Sequence, residues 1–141
     1  MTPLKRIGLA LGCMFLSIAI LGVVSTVPLA LRYGPRQALP TLQMLPLYLL
    51  FAFPGWVISF PFVLFFKHAD GWRAWVMLAI GTAIGPAFML TWTMLAVGGP
   101  WTWQANGGAL TLSLIIGFLT TFLYVLSLRR MAGKSAAIPA S

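Results

Sequence analysis

The chain has 141 residues, of which 60% are hydrophobic and only 7% charged, with nine Lys and Arg against a single acidic residue, Asp70. An ordinary soluble domain is roughly a quarter charged, so this composition excludes a water-soluble globular fold. One Cys and one His exclude an internal disulfide, a CxxC redox pair, a thiolate metal cage and a bis-histidine haem site, so no metal and no cofactor is expected.

The uncharged stretches set the elements, because a helix needs about 20 mostly apolar residues to cross a hydrocarbon core of about 30 Å. The first stretch, Ile7 to Leu31, is predicted to be one crossing. Lys5 and Arg6 ahead of it resemble the start of a signal peptide, but a signal core runs about 7–15 residues. The stretch here is longer, so the helix is expected to be retained, with Cys13 a buried and inert thiol. Gly8 and Gly12, followed by Ala19, Gly22 and Thr26, fall near one face at spacings of three, four or seven residues. Such small-residue faces let helices approach closely in lipid.

A short connection carrying Arg32 and Arg36 leads to a second crossing near Met44–Phe66. Pro46 suits a first helical turn, where a missing N–H costs little. Pro54 lies inside, next to Gly55 and Trp56, removes a backbone hydrogen bond and predicts a kink. The segment Lys67-His68-Ala69-Asp70-Gly71-Trp72-Arg73 reads as a tight turn, since Asp-Gly is a common turn pair. His68 oriented by Asp70 has the makings of a general base, but no nucleophile or substrate pocket is evident beside them. No catalytic residue is assigned, and the chain is not expected to be an enzyme.

The third crossing is predicted near Ala74–Val97, with Gly81 and Gly85 four apart and Pro86 as a second expected kink. A Gly-, Pro- and Asn-rich segment, 98–108, is expected to turn the chain into a fourth crossing near Ala109–Leu128. Along that helix Ser113, Gly117, Thr120 or Thr121, Tyr124 and Ser127 form the most polar stripe of the apolar region, which is expected to face other helices. Helical Ser and Thr hydroxyls are expected to bond back to the preceding turn. Residues 1–131 thus form one domain, and 132–141 are expected to be a short disordered cytoplasmic tail.

The predicted fold is therefore an all-α integral membrane bundle of four transmembrane helices. Strands of a membrane barrel would alternate in polarity, and Leu45–Phe53 is apolar at nearly every position. Lys5, Arg6, Lys67, Arg73, Arg129, Arg130 and Lys134 fall on one side and Arg32 and Arg36 on the other. Basic residues in short loops concentrate on the cytoplasmic face, so both termini are expected in the cytoplasm, with the protein in a bacterial plasma (inner) membrane. The charges are scattered over loop ends rather than gathered in a patch, so no nucleic acid is expected as a partner.

These features point to a small accessory or structural membrane component acting through helix–helix contacts. Its partners would be the lipid bilayer and either further copies of itself or another membrane protein. The alternative is a homo-oligomeric channel or carrier for a small neutral or anionic solute.

Overall fold

The computed structural model describes residues 2–66, 69–97 and 102–136. Its elements are α1 (Pro3–Tyr33), α2 (Pro35–Gln43), α3 (Leu45–Phe65), α4 (Trp72–Trp92) with a π-helical turn at Thr93–Val97, and α5 (Trp103–Ala136). No strand occurs among the described residues. Four helical segments are long and apolar enough to cross a membrane. At 1.5 Å per residue, even the 21 residues of α3 span about 30 Å.

The long helices pack as α1 against α3, α3 against α4, α4 against α5 and α5 against α1. They therefore close a ring in the order α1, α3, α4, α5. The start of α1, the end of α3, the start of α4 and the end of α5 share one end of the bundle, here called the arginine end. Ala10, Cys13, Val63, Met77, Tyr124 and Val125 fill that end, and Met14, Ile18 and Ile116 form a second cluster further along. The outward faces carry exposed large apolar side chains, among them Phe15, Val24, Leu50, Phe118 and Phe122. Together with the four long apolar helices, this is compatible with a multi-pass membrane protein.

The helices differ from expectation in four places. The connection between the first two crossings contains α2, because Pro35 sits where its missing N–H costs nothing and Gly34, at φ 89, turns the chain into it. A π-helical turn extends α4, next to Thr91 and Thr93, whose hydroxyls donate to Ala87 O and Met89 O. The segment 98–108 is helical from Trp103 onward, including Gly107 and Gly108. Each glycine costs a helix only about 1 kcal/mol, and the indole of Trp103 lies against the space at Gly107 where a side chain would be, 3.0 Å from a Cβ built there. The first residues of the tail expected from residue 132 continue the helix, to Ala136. Residues 137–141, the first part of the expected turn at 98–101, and Lys67 and His68 lie outside the described residues.

Pro54 and Pro86 stand inside helices that continue through them, as does Pro61. At Gly71, φ is 49°, a conformation that favours glycine, and the Asp70 carbonyl accepts from Arg73 N at 3.1 Å. The Asp-Gly pair thus turns the chain into α4.

Candidate functional site

The close packing of α4 on α5 builds one wall of the site. Along α4, Gly81 and Gly85 face α5. A Cβ on Gly81 would collide with the Thr121 side chain, and one on Gly85 would stand 2.9 Å from Ser113 O. From the other side, a Cβ on Gly117 would stand 2.9 Å from Gly81 O and 3.3 Å from Thr82 O. The position of Thr82 O has a cause four residues on: Pro86 has no N–H to give it. The carbonyl freed by Pro86 faces Gly117 of α5, and the absence of a side chain there leaves room for a weak Cα–H contact. Gly85 also meets α3, where a Cβ on Gly55 would lie 4.0 Å from Gly85 Cα. Three helices cross at Gly55, Gly85 and Ser113.

On the α1 side the polar stripe of α5 is engaged as well. Thr120 Oγ1 donates to Ser17 Oγ at 3.1 Å, and Ser17 Oγ donates to Cys13 O at 2.7 Å. Ser17 is fully buried. Ser113 and Thr121 donate back to Leu110 O and Gly117 O. Tyr124 is 4% exposed, and its hydroxyl has no hydrogen-bond partner among the described residues.

The glycines of α1 divide. Gly22 faces α3, with a Cβ there 2.8 Å from Leu45 Cδ2. Gly8 and Gly12 are exposed, and a Cβ on either meets nothing within 4 Å. The inward stripe of α1 is Arg6, Ala10, Cys13 and Ser17. Each residue advances about 100° around a helix, so positions 8 and 12, two steps from buried Arg6 and Ala10, look the opposite way.

Ring packing leaves a cleft between α3 on one side and the α4–α5 pair on the other, with Met14 of α1 at its base. Its main chamber holds about 270 Å³ and is lined by Tyr48, Trp56, Ile84, Met89, Leu112 and Ile116, among others. A smaller chamber of about 60 Å³ lies toward the arginine end, among Phe62, Val63, Met77 and Tyr124. The two share lining residues, including Trp56, Ser59, Thr120 and Thr121, and so adjoin. Leu47 and Ala109, near the far ends of α3 and α5, are the exposed lining residues of the main chamber, and Phe62 is that of the smaller one. The lining carries no charged side chain. Ser59 joins the other hydroxyls in donating inward, to Trp56 O at 2.6 Å.

The arginine end is closed by two cross-helix bonds that sequence reasoning missed. Arg6, only 6% exposed, donates Nη1–H to Leu64 O at 3.2 Å. Arg129 donates Nε–H to Ala69 O at 3.1 Å. Leu64 O belongs to the last turn of α3, where carbonyls lack helical donors and a cation is favoured by the helix dipole. By sequence alone both residues count as topological charges. The available signal was the position of Arg6 directly in register with the inward stripe of α1.

Among the described residues no three His, Cys, Asp or Glu side chains stand together. Comparison with protein-family models, curated proteins and solved structures returns no match for this chain.

Proposed function

We propose that this chain is a multi-pass integral membrane protein with both termini in the cytoplasm of a bacterial plasma membrane. In this reading it acts through helix contacts, as an accessory component of a larger membrane assembly. The observation that carries the reading is the outward face of α1. The paired glycines of α4 lie where helices meet, backbone against side chain or backbone, whereas Gly8 and Gly12 present the same spacing to the outside with nothing against them. Lipid tails fill such a groove no better than they fill a smooth face, whereas a partner helix gains close van der Waals contact there. The partner is a second copy or another membrane protein.

The test is crosslinking in native membranes with single cysteines at positions 8 and 12 in a Cys13→Ala background. Adducts at both positions are expected, those through position 8 being lost when Gly12→Leu is added; a chain that stays monomeric at every position refutes the reading. Reporter fusions to both ends test the orientation, and activity of the two fusions on opposite faces of the membrane refutes it. A second reading, an oligomeric carrier for a small neutral or anionic solute, draws on the cleft. The uncharged lining favours a neutral solute, and flux across liposomes containing the purified protein would support that reading over the first.

A further inference from the structure

The cleft has a polarity of its own. From Leu47 and Ala109, through Ile84, Leu112 and Ile116, the walls of the main chamber are mainly apolar. Hydroxyls gather where the two chambers meet, but Ser59, Thr120 and Thr121 already donate their protons within the protein. They have only acceptor lone pairs left. Tyr124 differs from these three: it lines the smaller chamber, is more than nine-tenths buried and has an O–H without a partner among the described residues. A buried donor left unpaired costs about 1–3 kcal/mol, so a group supplying an acceptor there recovers that energy. An anion would have to shed its hydration with no positive side chain in the lining to replace it.

We propose that the two adjoining chambers are a binding site for an uncharged, lipid-soluble amphiphile with a carbonyl or ether oxygen at one end. The oxygen accepts a hydrogen bond from the Tyr124 hydroxyl in the smaller chamber, and the apolar chain lies past Trp56 along the main chamber. At about 270 Å³ the main chamber is just below the usual range of small-molecule pockets, about 300–1,000 Å³. It takes a single chain or ring and excludes a phospholipid headgroup. The site lies within one chain, so the inference rests on the membrane placement proposed above and not on any assembly through α1.

The experiment uses the full-length protein in nanodiscs with a long-chain methyl ketone brominated near its carbonyl. Bromine quenches nearby indole fluorescence, and the difference between wild type and Trp56→Phe isolates the signal from the cleft. Saturable quenching at Trp56 and a ligand-dependent rise in Tm are expected. Tyr124→Phe should weaken ketone binding about fivefold, the worth of one net hydrogen bond, and leave the brominated alkane of equal length unaffected. Ala52→Phe, which fills the main chamber, should abolish binding of both. Equal affinity for ketone and alkane in wild type, or no effect of Tyr124→Phe, overturns the proposal. So does quenching by brominated acyl chains of phospholipid that the ketone fails to displace, since it assigns the cleft to bilayer lipid. Crosslinking through positions 8 and 12 is scored separately, so failure of either idea leaves the other standing.

Discussion

Replacing Gly117 by Ala places a methyl group 2.9 Å from Gly81 O and 3.3 Å from Thr82 O. Both neighbours are backbone, so neither can swing aside. Ordinary contact begins near 3.4 Å, and α4 and α5 must part by at least 0.5 Å (3.4 − 2.9). A radial gap of about 0.5–1 Å forfeits a quarter to a half of each dispersion well it touches, and overpacked sites typically lose about 1–3 kcal/mol. Against this stands the better helix propensity of Ala, about 0.5–1 kcal/mol. The expected net loss is about 1–2 kcal/mol. Gly12→Ala is the matched control: its methyl meets nothing within 4 Å, so only the propensity gain remains and the protein should become more stable by about 0.5–1 kcal/mol. Stepwise titration of micelle-solubilised protein with SDS, followed by circular dichroism, measures both. Equal midpoints for the two variants, or a Gly117→Ala protein more stable than wild type, would refute the close α4–α5 contact.

Three further outcomes are expected. Arg6→Leu should lower stability by about 2 kcal/mol, as for hydrogen bonds to charged groups, and speed amide exchange at the end of α3, with Arg6→Lys intermediate; unchanged exchange there would show that the bond to Leu64 O does not hold that end. Ser17→Ala and Thr120→Val should couple by about 0.6 kcal/mol in a double-mutant cycle, the average for interhelical hydrogen bonds in membranes, and strictly additive losses would count against the Ser17–Thr120 bond. Cys13, 5% exposed, should resist maleimide in the folded protein and react on SDS unfolding, whereas labelling at the rate of a free thiol would contradict its burial.

The long helices were readable because one physical quantity, the length of an uncharged run, decides them. Their partners were partly readable. Gly81, Gly85 and Gly117 announce close approach by spacing, and the structure brings them to one interface. Gly8 and Gly12 have the same spacing but face outward, because spacing alone does not say which side of a helix a neighbour occupies. The inward side of α1 is marked instead by Arg6, Ala10, Cys13 and Ser17, a mixed set that no hydrophobic pattern singles out. α2 escaped notice because nine residues with two prolines resemble a loop in composition. The cleft could not be read at all: it arises from the ring order of four helices, which depends on contacts between residues as distant as Gly55, Gly85 and Ser113. Tyr124 was placed on the polar stripe, but its lack of a partner is visible only in three dimensions.

Arg6 and Arg129 bind carbonyl oxygens across helices at one foot of the frame. Two charges that sit at segment ends therefore also fasten one segment to the next, so replacing either one changes the charge of that end and loosens its joinery at the same time.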